Sequence, residues 1–253
     1  MSRGIKQLIY GIAFILFLFI IGLALYSFFI YKAPSCTDKI KNQEEEGIDC
    51  GKICDNICFP DNFAPLELVN DVRLLSIGNG RWSILAEIKN SNDNFGASNF
   101  KYNFSVKDAS DQIIKELVGE SFIYGNEEKY LALPNLDFSS KKPVSVDLVI
   151  KDPQWLSEKD FQKPKLKLQN KTVTITDKKI KVDGIIQNES SLPLSTIKII
   201  SIFYGKFPDR PIGVSEAEIN NISPQEMKSF VVLHPYIEGI DVNQTEIYIS
   251  GSR

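Results

Sequence analysis

Phe100-Lys101-Tyr102-Asn103-Phe104-Ser105-Val106 alternates apolar and polar residues at every step. A period of two places Phe100, Tyr102, Phe104 and Val106 on one face of an extended chain, the pattern of a β-strand with one buried side. The same texture continues in both directions. Pro65–Ile77 alternates and ends at Gly78-Asn79-Gly80, a hairpin signal answered by Trp82–Lys89. Asp108-Ala109-Ser110-Asp111 turns the chain, and strands are expected over Ile113–Phe122, Lys129–Leu133 and Val144–Ile150. A second pass begins near Lys165: Leu166–Thr176, a turn at Asp177-Lys178, then Ile180–Gln187. Ile197–Tyr204, Ile212–Ile219, Lys228–Leu233 and Glu246–Ile249 follow it. No helical period runs through this part of the chain.

The two passes align at an offset of about 98 residues. Ala86-Glu87-Ile88-Lys89-Asn90 meets Gly184-Ile185-Ile186-Gln187-Asn188, and Asp111-Gln112-Ile113-Ile114 meets Asp209-Arg210-Pro211-Ile212. Gly125-Asn126-Glu127-Glu128-Lys129-Tyr130 meets Ser223-Pro224-Gln225-Glu226-Met227-Lys228. This duplication argues for two β-sandwiches over one large barrel. The expected boundaries are a first sandwich over residues 63–152, a linker over 153–164 and a second sandwich over 165–253. In the linker, Trp155 and Phe161 are expected to plug the junction.

Leu8 to Tyr31 reads LIYGIAFILFLFIIGLALYSFFIY and holds no charge. At about 1.5 Å per residue it spans roughly 36 Å, enough for a hydrocarbon core of about 30 Å. It is longer than the apolar region of a cleaved signal and runs into Tyr31-Lys32-Ala33-Pro34, with no small-x-small site. An uncleaved transmembrane helix over residues 8–31 is therefore expected. Flanking charges do not orient it, because Arg3, Lys6 and the terminal amine balance Lys32, Lys39 and Lys41.

The cysteines supply the direction. All four, Cys36, Cys50, Cys54 and Cys58, fall within 23 residues, with the spacing Cys-x13-Cys-x3-Cys-x3-Cys. Zinc modules use two separated Cys-x-x-Cys knuckles, whereas clustered even-numbered cysteines suggest two disulfides, with three pairings open. Disulfides need an oxidising compartment. The expectation is a cytoplasmic tail over 1–7, a cysteine-rich stalk over 32–62 and everything beyond the helix exported. Asp38, Asn42, Glu45 and Asp49 lie between the first two cysteines. Their oxygens suit calcium, but the periodic Asp-x-Asp-x-Asp-Gly pattern is missing, and the turns of a small solvated loop are the plainer expectation.

The stalk resembles a short motif of exported bacterial proteins, Cys-x-Asp-Gly-x-x-Asn-x-x-Glu-x-x-x-Asp-Cys-Gly-Gly-x-Cys-x-x-Cys. Cys36, Asp38, Asn42, Glu45, Asp49, Cys50, Gly51 and Cys54 are in register. Lys39 and Lys52 stand at two of its glycines, and the last cysteine is one residue late. The first repeat resembles the bacterial FxLYD-type domains, immunoglobulin-like sandwiches related in shape to LEA-2 modules. Phe104-Ser105-Val106-Lys107-Asp108 stands at the naming motif, with Val for Leu and Lys for Tyr. Both resemblances imply export and fold, and neither implies a chemistry.

Net charge −3 and pI near 5.4 argue against nucleic acid, which needs a concentrated basic surface. No nucleophile elbow, phosphate loop or histidine-rich metal motif occurs. His234, the one histidine, ends an expected strand, where a surface or edge role outweighs a catalytic one. The chain thus reads as all-β: two tandem immunoglobulin-like sandwiches behind one transmembrane helix and a stapled segment. A non-enzymatic envelope protein that binds a protein partner is expected, without a resident cofactor. The alternative is a module that binds an ion, glycan or lipid.

Overall fold

The computed structural model describes residues 2–29, 35–42, 44–207 and 210–252. It divides into two compact units, Met1–Pro60 and Asp61–Arg253. In the first, α1 covers Arg3–Phe29. It begins five residues before the uncharged stretch, because Arg3-Gly4-Ile5-Lys6-Gln7 holds no proline to stop the backbone ladder from extending. Residues 30–31 of the expected span and 32–34 of the expected stalk lie outside the described residues. Arg3–Phe28 is long and apolar enough to cross a membrane, and its apolar side chains are exposed throughout. A signal sequence near an N-terminus has the same properties.

The second unit is built from β1 (Glu67–Leu68), β2 (Arg73–Gly78), β3 (Arg81–Lys89), β4 (Phe95–Lys107), β5 (Ile113–Ile123), β6 (Glu128–Asp137) and β7 (Ser145–Ser157), followed by β8 (Leu166–Ile175), β9 (Lys179–Asn188), β10 (Leu194–Tyr204), β11 (Pro211–Ile222), β12 (Met227–Pro235) and β13 (Glu246–Ser252). A short 3₁₀ turn, Val242–Gln244, precedes the last strand. All pairings are antiparallel. They make four sheets: β1, β2 and β6 on β3; β5-β4-β7; β12-β9-β8; and β11-β10-β13. Each half contributes two sheets, which fits a β-sandwich architecture.

Each half also encloses its own core. In the first, Ile84, Ala86 and Ile88 of β3 meet Phe100, Phe104 and Val106 of β4. In the second, Ile180, Val182 and Ile186 of β9 meet Ile197, Ile199 and Phe203 of β10. The alternation in the opening stretch is realised: Phe100, Phe104 and Val106 are fully buried and Lys101 is exposed. Fully burying one such side chain contributes roughly 1.5–3 kcal/mol. Pro65–Ile77 does not form one strand. Asn70 and Asp71 leave the ladder between β1 and β2, and Asn70 Nδ2 donates to Glu87 Oε2 at 3.1 Å.

A third core joins the halves. Leu75, Leu85 and Ala132 on the outer face of the first half pack against Ile200, Ile202 and Val214 of the second, with Tyr130, Tyr204 and Tyr248 around them. The unit is therefore a stack of four β-layers. β3 and β10 lie in the two middle layers and are buried on both faces. The expected linker is partly strand, since β7 continues through Ser157 and pairs with β4 as far as Phe95↔Ser157. Trp155 stacks on Phe63 at 4.7 Å and packs on the first core. It seals the first sandwich; the junction is closed by the aliphatic layer and the tyrosines.

Candidate functional site

The duplication is clearest in a buried side chain. Asn90 ends β3 just past Lys89 and is fully buried. Its Nδ2 donates to the carbonyls of Phe95 (2.7 Å) and Tyr124 (2.9 Å), and its Oδ1 accepts from the Asn92 backbone at 3.0 Å. Asn188 repeats this in the second half, donating to Leu192 O at 2.9 Å and accepting from Ser190 N at 3.0 Å. A glutamate closes each clamp from the next turn. Tyr124 N donates to Glu127 Oε2 at 2.8 Å, and Ser223 N donates to Glu226 Oε2 at 2.7 Å. These bonds equate Glu127 with Glu226, one residue away from the sequence alignment. Asn126 and Gln225 both take positive φ there, at 50° and 62°. Asp209, the aligned partner of Asp111, lies outside the described residues.

The two glutamates differ in their surroundings. Glu127 is 3% exposed, and its Oε1 receives Lys163 Nζ at 2.7 Å and Tyr248 OH at 3.1 Å. Tyr124 OH reaches Gly251 O at 2.8 Å. These bonds tie the β5–β6 turn, the segment after β7 and β13 together. Next to them Lys129 is also 3% exposed, with Nζ 3.3 Å from the centre of the Phe122 ring. Burial pulls its pKa down to about 7, against the opposing pull of Glu127 and with help from Lys198 and Lys163. A cavity of about 130 Å³ opens beside it, lined by Tyr102, Glu120, Lys198 and Ser250 among others.

A larger cleft of about 380 Å³ is lined by Asn70, Asp71, Arg73, Glu87, Tyr130 and Tyr204. Burial raises the pKa of both tyrosines, and nearby carboxylates add to the effect. The polar groups here engage one another: Asn70 donates to Glu87, and Tyr204 OH donates to Glu246 Oε2 at 3.1 Å.

In the cysteine segment the pairs are Cys36–Cys54 and Cys50–Cys58, so the two loops interleave. Asp38, Asn42, Glu45 and Asp49 come together around them. Asp49 accepts the backbone N–H groups of Asp38 (3.1 Å) and Lys39 (2.9 Å). Asp38 accepts Ile40 N and Asn42 Nδ2, and Glu45 Oε2 accepts Asn42 N and Asp49 N. The carboxylates thus already serve the loop's own N–H donors. Among the described residues, one group of three ligand-type side chains converges, Cys36, Glu45 and Cys54. Its two cysteines are bonded to each other, so neither sulfur is a thiolate ligand. Nor can Cys54 Sγ donate a proton to Glu45 Oε1, 3.3 Å away. Lys39 and Lys52 have φ of 61° and 44° at the positions where the resembling motif has glycine, and glycine alone takes that conformation freely.

Each closed loop contributes about 2–4 kcal/mol against opening. Mass analysis without reductant is expected to find no free thiol. After reduction, trypsin is expected to cut at Lys39, Lys41 and Lys52 within minutes, while the thermal transition of Asp61–Arg253, which holds no cysteine, moves by less than about 2 °C. Stoichiometric zinc release by a thiol reagent would overturn the assignment.

The resembling Phe104–Asp108 stretch serves packing and turning. Phe104 and Val106 are core, Lys107 pairs with Asp147 at 2.7 Å, and Asp108 Oδ1 caps Ser110 N at 2.9 Å. His234 lies on an edge strand, but its ring is buried, 5.0 Å from Phe203, with Nδ1 2.6 Å from Pro235 O. Burial lowers its pKa. No pairing in the sequence marked Glu127, Lys163 and Tyr248, because their contacts join segments far apart in the chain.

No protein-family model matches the chain, and no curated protein matches it. Among solved structures, the crystal structure of red sea bream transglutaminase is similar at 10% identity and a TM-score of 0.22. That match covers 73% of this chain and about a third (32%) of the other. At that score the likeness carries no argument about fold or activity.

Proposed function

We propose that the chain is a non-enzymatic, single-pass membrane protein whose sandwich unit binds another envelope protein outside the cytoplasm. In this reading residues 8–31 cross the membrane, Met1–Gln7 stay inside and the disulfide segment begins the exported part. The disulfides support the direction, because they persist in oxidising compartments. One observation carries the binding reading. β12 is a nine-residue strand at the open edge of an outer sheet, and its outward face exposes Met227, Val231 and Leu233, 48–54% accessible. Unpaired edges with apolar side chains are ready for strand addition. The polar cleft at Arg73, Glu87 and Tyr204 favours a second reading, a small polar ligand bound between the halves.

A photo-crosslinker placed at Val231 in intact cells tests the first reading. The expected result is a discrete heavier adduct that disappears with Leu233→Lys; monomer alone at every expression level would sink it. Protease added to intact cells should remove residues 61–253 and spare a fragment containing α1.

A further inference from the structure

Among the described residues, Lys129 is the one lysine or arginine that is buried, and its Nζ has no hydrogen-bond or ion-pair partner. The Phe122 ring, with its centre 3.3 Å from Nζ, takes one side of the ammonium but offers it no lone pair. Glu127 attracts it from a distance, while the Glu127 oxygens serve Lys163, Tyr248 and the Tyr124 N–H. A buried ammonium is costly to keep unless an acceptor meets it.

The space for that acceptor is the cavity of about 130 Å³ beside it. It lies where the edge strands β5 and β6 of the first half face β10 and β13 of the second. Its wall carries Lys129, Tyr102 of β4, Lys198 of β10 and Ser250 of β13. Ser250 is 5% exposed. Among the described residues, neither its hydroxyl nor that of Tyr102 has a hydrogen-bond partner. Three donors thus stand at one wall without a protein acceptor. The other charges are already matched. Lys198 Nζ lies 3.3 Å from Glu216 and 3.8 Å from Glu218. Glu120 is exposed and accepts from Asn99 Nδ2 at 3.3 Å.

We propose that this cavity binds a small monocarboxylate, whose oxygens accept from Lys129, Tyr102 and Ser250 between the two halves. One uncompensated cation matches one negative charge, whereas a phosphate dianion would set a second charge near Glu120. A volume of roughly four waters admits an acid of a few carbon atoms. The site is separate from the cleft at Arg73 and does not depend on the partner-binding reading. It uses the ammonium form of Lys129, so a bound carboxylate raises the pKa of that lysine from about 7. Affinity therefore falls as pH rises above that value, by up to about tenfold per pH unit. Tyr102, whose pKa burial raises, keeps its proton across this window.

The test uses the full chain in detergent micelles, disulfides intact, with labelled lysine side chains and backbone amides. Sodium acetate is titrated at constant ionic strength and followed by nuclear magnetic resonance, with sodium chloride and sodium phosphate as comparisons. At pH 6.5 a saturable shift of the Lys129 side-chain signal and of the Ser250 amide is expected. Saturating acetate should move the Lys129 titration midpoint up by about one pH unit or more. Lys129→Met, read at the Ser250 amide, should weaken binding roughly tenfold or more, and Ser250→Ala several-fold. No saturation by about 100 mM acetate, or a midpoint that does not move, would mean that the cavity holds water only and would overturn the proposal. Equal responses to chloride, tighter binding of phosphate, or acetate binding that survives Lys129→Met or ignores pH between 6 and 9 would overturn it as well.

Discussion

Replacing Lys129 by methionine is expected to stabilise the sandwich unit at pH 7 by about 3 kcal/mol. The ammonium is buried on the Phe122 ring, and its pKa falls from 10.5 to about 7. At about 1.4 kcal/mol per pH unit the ceiling is near 5 kcal/mol; methionine keeps the stem's packing but forfeits a cation–π contact of about 1 kcal/mol. The sign follows from proton counting. Between pH 7 and 10.5 the unfolded chain binds a proton at this lysine that the folded chain does not, so stability rises with pH across that window. Below pH 7 both states are protonated and the full penalty remains. Above pH 10 the trend reverses, because burial raises the pKa of Tyr102, Tyr130, Tyr204 and Tyr248 and only the unfolded chain then ionises them. Urea unfolding from pH 6 to 9.5 should show the rise in the wild-type chain and a nearly flat profile in Lys129→Met. Parallel profiles would show that Lys129 is solvated in solution.

Asn90→Ala is expected to lose about 3 kcal/mol, and Asn188→Ala a similar amount. Asn90→Ala strands the buried carbonyls of Phe95 and Tyr124 and the Asn92 N–H. Asn188→Ala frees the Ser190 N–H and the carbonyls of Leu192, Ile222 and Ser223, of which that of Ile222 is buried. The cost is roughly 1–3 kcal/mol per buried unsatisfied group with partial relaxation. Asn90→Asp should be no better, since a carboxylate would face the carbonyls of Phe95 and Tyr124 that now accept from Nδ2. The two asparagines serve separate cores and share no hydrogen-bond partner among the described contacts, so the double variant should show nearly additive losses. Equilibrium denaturation followed by far-ultraviolet circular dichroism measures all three. A loss below about 1 kcal/mol at either site would mean that water replaces the amide.

Much of the fold could be read directly. A period of two has one meaning in a half-buried sheet, so Phe100–Val106 and its neighbours announced strands that the structure extends by a few residues at their ends. The uncharged helix and the clustered cysteines are compositional signals and needed no tertiary information. The duplicated clamp was visible in part: Asn90 and Asn188 align, but the same alignment sets Glu127 opposite Gln225, and only the hydrogen bonds equate it with Glu226.

Other features were present in the sequence but pointed elsewhere. Ile84-Leu85-Ala86 and Ile199-Ile200 break strict alternation, the mark of a strand buried on both faces. An alternation template reads such runs as one more half-exposed strand, and the four-layer stack is missed. Trp155 and Phe161 look alike as linker aromatics. The structure places one on Phe63 and the other in a groove against Gly96, since packing partners depend on which distant segments come together.

The sequence by itself therefore determined the strand texture, the duplication, the apolar helix and the stapled segment, because each depends on periodicity or composition along the chain. Only the tertiary structure decided which cysteines pair, that the halves dock through Leu85 and Ile202 and that Lys129 is buried. Each of these depends on contacts between residues apart in the chain, from 8 and 18 positions for the disulfides to far longer separations between the halves, and no local spacing specifies them.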